Sequence, residues 1–241
     1  MLNKIRGIVL HSVKFGESSL IVTLYTDKSG RQSYMLNAVR KIKATHKAGL
    51  FQPLFLLELE VYEKKTREIQ HVKEIKNAFP YQTIPFDVQK SAQAIFLAEN
   101  LYRTLREEEN NPELFTFLET LLKSFDSSEE GKGLFHIYFL SRLTEFLGIY
   151  PEINPAETTG WFDMKRGEVV SSEPLHPYFM IPEITSLFGR MLQTSYNDLK
   201  SIKITKEQKE LLLLQLVDFY HIHFENIGVV KSLAVLKEVF R

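Results

Sequence analysis

The sequence of 241 residues contains no cysteine and a single tryptophan. The absence of cysteine excludes disulfide bonds, iron–sulfur clusters, thiolate zinc sites and catalysis by a cysteine nucleophile. Long hydrophobic runs are missing too: the longest, Leu211–Val217, is far shorter than the roughly 20 residues that span a bilayer. The first residues begin no apolar run, so no signal peptide is apparent. We therefore expect a soluble, cytoplasmic protein without a membrane partner.

Motifs of the common catalytic classes are also absent. The sequence has no glycine-rich phosphate loop, no G-x-S-x-G, no HExxH and no DxDxDG calcium loop. Its seven histidines are scattered, and His221 and His223 point about 200° apart if they lie on a helix. We therefore expect no enzyme, no cofactor and no metal site, while a hydrolase with an unrecognised site stays open as a weaker hypothesis.

The net charge is zero, but the charges are distributed unevenly along the chain. Residues 1–80 hold 14 Lys and Arg against 7 Asp and Glu, whereas residues 81–241 hold 16 against 23. Most of the basic excess precedes residue 48. A basic part followed by an acidic part suggests a polyanionic partner for the first part, and nucleic acid is our interpretation. The alternative is a solvated surface without a ligand.

The first 76 residues alternate apolar and polar positions and are rich in β-branched and aromatic residues, which predicts strands. The five predicted strands are Ile5–Lys14, Leu20–Thr26, Arg31–Asn37, Pro53–Glu63 and Arg67–Lys76. A short helix or ordered loop over residues 39–50 separates the third strand from the fourth. This order is that of an OB-fold barrel, although other five-stranded barrels share it.

Beyond Pro80 the apolar period becomes helical. Asp87 is a candidate N-cap for a helix to about Glu109, and Asn111 and Pro112 begin another. The remaining predicted helices run over residues 133–147, from about Pro182, from Thr205 with a capping box to Gln208, and from Leu233 with Ser232 as its cap. Between them, Trp161–Ser171 is a candidate hairpin. The predicted class is α+β, with a barrel domain over residues 1–79 and an all-α domain over residues 80–241.

The strongest local signal for nucleic-acid binding is the basic segment Arg40–Lys47. On a helix Arg40, Lys43 and Lys47 share one face, so they can follow phosphates, and Lys41 and Arg31 belong to the same basic excess. The alternative is an exposed, solvated helix. Candidate stacking residues are Phe15, Tyr25 and Tyr34, although each aromatic taken singly is more often a core residue.

Several segments in a fixed order resemble the RecO family of bacterial recombination mediators. The matching segments are GIVL at Gly7–Leu10, FGESS at Phe15–Ser19, TLYT before Gly30, RKIKATHKAGLFQP at Arg40–Pro53, FLSRLTEFLGIYPEIN at Phe139–Asn154 and YHIHFENIGVVKSLAVLKEV at Tyr220–Val239. The single motifs are loose, but their order and spacing together are specific, and the resemblance covers nearly the whole chain.

The resemblance implies an N-terminal OB-fold, a helical C-terminal domain and a role in recombinational DNA repair. It implies binding of single- and double-stranded DNA, annealing of complementary strands, and help in loading the RecA recombinase onto strands covered by the single-stranded-DNA-binding protein SSB. The implied partners are RecR and the C-terminal tail of SSB, and the implied location is the bacterial nucleoid. A protein-interaction adaptor with weak nucleic-acid binding is the alternative.

Two further expectations come from the resemblance. Many family members carry a four-cysteine zinc site in the insertion that corresponds to residues 149–182. This chain has no cysteine there, so we expect a degenerate, zinc-finger-like insertion without metal. The family also binds the SSB tail in a groove of the helical domain, and the implied partner-binding residues are Phe139, Arg142 and Leu143. The family often has an arginine where this chain has Tyr138.

Overall fold

Five strands lie in the first 77 residues: β1 (Leu2–Phe15), β2 (Ser19–Thr26), β3 (Gly30–Leu36), β4 (Leu56–Tyr62) and β5 (Ile69–Asn77). They form a closed barrel in the order β1-β2-β3-β5-β4. Strand β3 pairs in parallel with β5, and the other four pairings are antiparallel. The computed structural model describes residues 2–37, 49–62, 67–106, 109–153, 159–225 and 227–240. The predicted OB-like barrel is thus confirmed.

Alternation along the strands explains the barrel core. In β2 the side chains of Val22 and Leu24 are buried, and in β4 the inward positions are Leu57, Leu59 and Val61. Gly30 has a φ of 57°, which a glycine adopts without strain, and it closes the turn between β2 and β3. Strand β4 begins at Leu56, later than the predicted Pro53, because residues 53 and 54 form a turn in which Leu54 has a φ of 64°.

Strand β1 is longer than its partner β4. It pairs with β4 only as far as Ile8, and a register shift between Val9 and His11 separates this part from the rest of the strand. From His11 to Phe15 it pairs with β2 alone among the described strands. The second half of β1 therefore has one edge with no strand beside it in the described part of the chain.

Six α-helices are present in the described ranges. They are α1 (Val88–Thr104), α2 (Pro112–Ser127), α3 (Phe135–Leu143), α4 (Pro182–Gln193), α5 (Lys206–His223) and α6 (Ser232–Val239). The predicted caps Asp87 and Thr205 are confirmed, since Asp87 accepts from Lys90 N–H and Thr205 forms the capping box with Gln208. No helix in these ranges is long and apolar enough to cross a membrane.

By packing, the chain divides into two compact units. The domain boundary between residues 79 and 80 stays a prediction. The barrel unit comprises Met1–Ser127 and Val230–Arg241, and the helical unit comprises Ser128–Val229. Helices α1, α2 and α6 therefore belong to the same unit as the barrel. The predicted division marked where strand period changes to helix period, and that change does not reveal which core a helix joins.

The helical unit contains α3, α4, α5 and, within the insertion, a small sheet. The sheet has the order β7-β6-β8, formed by Trp161–Asp163 (β6), Glu168–Val170 (β7) and Phe179–Met180 (β8). Strands β6 and β7 form the predicted hairpin. Phe162 is fully buried against Phe188 of α4 and Phe219 of α5, which anchors the insertion in the core of this unit.

Candidate nucleic-acid interface

The outer face of β1, β2 and β3 carries rows of side chains that cross the strands. Residues directly opposite one another in antiparallel pairs share a face. One row contains His11, Thr23 and Ser33, and the next contains Val13, Ile21 and Met35. Phe15 and Val13 are exposed, with 51% and 43% of their surfaces accessible. Thr23 is buried, so the exposed groups at this end of the face are apolar and aromatic. Single-strand-binding barrels stack bases on aromatic side chains.

The candidate stacking residues fall into two groups. Tyr34 is fully buried in the barrel, and Tyr25 is buried with its ring 6.5 Å from that of Phe115 in α2. Both are therefore core residues, as the alternative interpretation held. Phe15 is exposed at the end of β1 and is the one of the three that a base can reach.

Arg31 lies on β3 and contacts the C-terminal end of α1. Its Nη1 donates to the carbonyl oxygens of Tyr102 at 3.0 Å and Leu105 at 3.2 Å. The guanidinium also lies 4.4 Å from the centroid of the Tyr102 ring. A cation at this position satisfies carbonyls that have no partner within the helix. Arg31 thus has a structural role, and phosphate binding by Arg31 stays a prediction.

The basic segment lies outside the described residues, so Arg40, Lys41, Lys43 and Lys47 have no position to report. In the sequence, Lys47 comes two residues before Gly49, where the described chain resumes as the 3₁₀ turn Gly49–Phe51. The segment therefore leads directly into the loop that precedes β4.

That loop forms one side of a groove in the barrel unit, which we call the His11 groove. It has a volume of about 520 Å³ and runs between β1, residues 51–53, α1 and the start of α6. Its lining includes Val9, His11, Phe51, Tyr102, Arg103 and Lys231. A volume of this size is typical of small-molecule sites.

The rings of His11 and Tyr102, which both line the groove, contact each other at an angle of 36°. The centroids of the His11 and Tyr102 rings are 4.6 Å apart, and Arg31 lies against Tyr102 as well. Burial lowers the pKa of His11, and the positive charges of Arg31 and Arg103 lower it further against the opposing effect of Glu99. The imidazole of His11 is therefore mainly neutral at pH 7.

The one carboxylate in the groove, Glu99, is held by several donors. Its oxygens accept hydrogen bonds from Arg103, from Lys231 N–H and from both the N–H and hydroxyl of Ser232. Burial would raise the pKa of Glu99, but the bonds from Ser232, Arg103 and Lys231 outweigh it and lower the pKa. The charge of Glu99 is thus already compensated within the protein.

The implied partner-binding residues lie on α3 in the helical unit. Phe139 and Leu143 are fully buried, so neither offers a surface to a docking peptide in this conformation. Arg142 is partly exposed, and it donates to the carbonyl of Leu192 at 2.6 Å and pairs with Glu145 at 3.1 Å. A role of Arg142 in binding a partner stays a prediction. The burial of Phe139 and Leu143 follows from their position on the apolar side of α3.

The residues of the insertion do not fit a zinc site of the kind that the resemblance implies. Zinc sites of this kind require thiolates, and the chain has none. Within the described part of the insertion, no group of three or more possible metal ligands is present. The turn after β6 is held instead by Asp163, which accepts from Lys165 N–H and Arg166 N–H and lies 3.2 Å from His176.

His11, Tyr102 and Lys231 form the part of the site that the sequence pattern missed. They come from three elements separated by 91 and 129 residues in the sequence, and none belongs to a charged or aromatic cluster. The one available signal was His11, the single histidine in the predicted first strand. Histidine is uncommon in a barrel strand. That signal points to His11 but not to Tyr102 or Lys231.

Comparison with known proteins agrees with the architecture. The chain matches the family models "Recombination protein O N terminal" over residues 1–81 and "Recombination protein O C terminal" over residues 85–232. Proteins named DNA repair protein RecO are similar over their full length in Phocaeicola vulgatus, at 37% identity over 240 residues, and in Bacteroides fragilis, at 36% over 241. The relative in Flavobacterium johnsoniae is 36% identical over 98% of both chains. The chain therefore belongs to the RecO family of DNA repair and recombination proteins.

Proposed function

We propose that the protein binds single- and double-stranded DNA through the barrel unit and anneals complementary strands during recombinational repair. The observation that carries the proposal is the exposed half of the β1–β2–β3 face, where Phe15 and Val13 are exposed. The preceding residues of β1, Val9–Ser12, line one groove together with Phe51 and Pro53 of the loop that follows the basic segment in the sequence. Aromatic and basic groups together bind single strands with little sequence preference.

We propose further that the protein acts by binding and not by catalysis. In this role it helps load RecA onto DNA covered by SSB, and RecR and the SSB tail are its partners. Membership of the family supports these assignments. The sequence, which lacks the common catalytic motifs, supports the first of them. Annealing of complementary oligonucleotides in the absence of any nucleotide cofactor is the expected behaviour.

A salt series tests DNA binding. Binding of a labelled single strand is measured for the wild type and for a variant with Arg40→Ala, Lys41→Ala and Lys43→Ala. Each lost phosphate contact reduces the slope of log K against log salt by about 0.7, so the triple variant should lose up to about 2. A matched control replaces three exposed basic residues of the helical unit, Arg190, Lys203 and Lys206, with alanine.

Two outcomes would count against the proposal. Wild-type binding that does not depend on salt, or an equal loss of slope in the control, would reject DNA binding by the barrel unit. An adaptor with weak nucleic-acid binding would then fit better, because such a protein needs its partners and not a phosphate contact. Its test is capture of purified RecR or of an SSB-tail peptide by the triple variant.

A further inference from the structure

We infer that the His11 groove holds one unstacked nucleotide of a single DNA strand, with its base against the His11 ring and its phosphate beside Lys231. This inference deepens the proposed function and rests on it. It concerns a defined groove in the barrel unit, which shares His11 with the exposed strand face.

The rings of the groove suit a base. The residue His11 is exposed, and its ring lies against Tyr102, which Arg31 supports in turn. A ring that is already fixed loses little conformational freedom when a ligand stacks on it. A mainly neutral imidazole offers a flat surface without adding a desolvated charge. Stacking on such surfaces is tolerant of base identity because every base has a π-face.

The charges of the groove suit a phosphate. Lys231 is exposed at the start of α6, and its side chain forms no salt bridge with any residue in the described ranges. Arg103 lines the groove and is paired with Glu99 at 2.6 Å. Because Glu99 is compensated by Arg103 and by the N–H groups of α6, it repels a phosphate less than an unpaired carboxylate would.

The position of the groove also suits a nucleic-acid strand. Its lining includes Val9–Ser12 of β1, and the following residues of that strand lead to the exposed Val13 and Phe15. The loop that lines it on the other side follows the basic segment in the sequence. A strand bound on the barrel face can therefore continue into the groove without leaving the barrel unit.

An extended peptide is the competing occupant, since the edge of β1 beyond His11 has no strand beside it in the described part of the chain. A peptide on that edge would use backbone hydrogen bonds, and it would give the His11–Tyr102 stack and the exposed Lys231 no role. The rings and cations together favour the nucleotide.

A double-mutant cycle between protein and DNA tests the inference. Binding to oligo-dT is compared with binding to an equally long strand of abasic sites, for the wild type, His11→Ala and His11→Phe. His11→Ala should weaken binding to oligo-dT by at least about 5-fold and leave binding to the abasic strand unchanged. His11→Phe, which keeps a ring, should retain most of the affinity. Tyr178→Ala, at an exposed aromatic of the helical unit, is the matched control.

Photocrosslinking gives an independent readout. A single strand with 5-iododeoxyuridine is irradiated with the wild-type protein, and the modified peptides are mapped by mass spectrometry. Crosslinks at His11 or Tyr102 are expected, and Lys231→Ala should reduce them.

The outcomes separate the two proposals. A wild type that does not bind oligo-dT overturns the proposed function and this inference together. Binding with crosslinks only outside the groove, or with equal losses on both strands in His11→Ala, overturns this inference and leaves the proposed function standing. Unchanged DNA binding in His11→Ala and Lys231→Ala rejects the nucleotide and leaves the peptide as the occupant to examine.

Discussion

Glu99 and Ser232 are 133 residues apart in the sequence and are joined by two hydrogen bonds. Ser232 N–H donates to Glu99 Oε2 at 2.8 Å, and the Ser232 hydroxyl donates to the same oxygen at 2.5 Å. Ser232 is the first residue of α6 and not its N-cap, which is Lys231. The sequence prediction of Ser232 as the cap was wrong because a carboxylate from α1 satisfies the first N–H groups of α6.

Replacing Glu99 should loosen α6. Glu99→Gln removes the negative charge at the start of the helix and weakens its bonds to Ser232 and Lys231, at a cost of about 1–3 kcal/mol. Hydrogen exchange followed by mass spectrometry should show faster exchange over residues 232–239. Glu113→Gln, at an exposed position on α2, is the matched control. Unchanged exchange in Glu99→Gln would show that apolar packing alone holds α6.

Asp126 joins α2 to the segment before α1. Its carboxylate accepts from the N–H groups of Gln82, Thr83 and Ile84, and the buried Lys90 donates to its carbonyl oxygen at 3.1 Å. Asp126→Ala leaves these N–H groups without a partner and should destabilise the barrel unit by about 3 kcal/mol or more. Urea denaturation measures the loss. Asp198→Ala, at an exposed site in the helical unit, should cost less than half as much; equal losses would contradict the role.

Acid should also reduce the contribution of Asp126 to the stability of the barrel unit. Burial would raise its pKa, but the hydrogen bonds from the three N–H groups and from Thr83 outweigh it and lower the pKa. A carboxyl with a lowered pKa stabilises the fold above its unfolded pKa, and this contribution is lost as the pH falls through the folded value. The difference in stability between the wild type and Asp126→Ala should therefore shrink at acid pH.

His136 should lower the stability of the helical unit at a higher pH than the one at which Asp126 affects the barrel unit. It is fully buried, and burial, aided by the charge of Lys209, lowers its pKa to about 3. The unfolded chain binds a proton below pH 6.5 that the folded unit excludes, so stability falls as the pH drops from about 6.5 toward 3. Between pH 7 and pH 5 the wild type should lose about 2 kcal/mol more than His136→Gln.

The single tryptophan allows this measurement to be made on the helical unit alone, because Trp161 lies in that unit. Denaturant titrations followed by Trp161 fluorescence at the two pH values give the difference. Parallel losses in the wild type and in His136→Gln would show that other groups dominate the acid sensitivity.

Arg31 should control the titration of His11. Because burial and then the charge of Arg31 lower the pKa of His11, Arg31→Gln should raise this pKa toward its ordinary value. Glu99 and Arg103 also act on the imidazole, in opposite directions, and remain in this variant. NMR titration of the His11 ring protons measures the change. A pKa that does not move would show that the charge of Arg31 does not contribute to it.

The insertion should keep its structure without metal. Incubation with a chelator should leave the thermal unfolding midpoint of the helical unit unchanged. Asp163→Ala should lower it by an amount that corresponds to about 1–3 kcal/mol, because Lys165 N–H and Arg166 N–H lose their acceptor. Glu173→Ala, at an exposed position in the same insertion, is the control. A stoichiometric metal in the purified protein would contradict this account.

The strands and the helix caps could be predicted from the sequence because their causes are local. Alternation placed Leu57, Leu59 and Val61 on one face of β4, and these three side chains are buried. The side chains of Asp87 and Thr205 cap the helices that follow them. These features depend on residues within a few positions of each other, so they can be predicted from the sequence. The order of strands and the family resemblance were then enough to predict a barrel followed by helices.

How these elements pack together could not be predicted from the sequence and is seen in the folded structure. It assigned α1, α2 and α6 to the barrel unit, because an apolar helix face specifies burial without specifying a partner. It placed Phe139 and Leu143 in a core and brought His11 to Tyr102. It also placed the carboxylate of Glu99 against the N–H groups of Lys231 and Ser232 at the start of α6. Such contacts depend on where the backbone brings distant residues together, and no local pattern in the sequence records that.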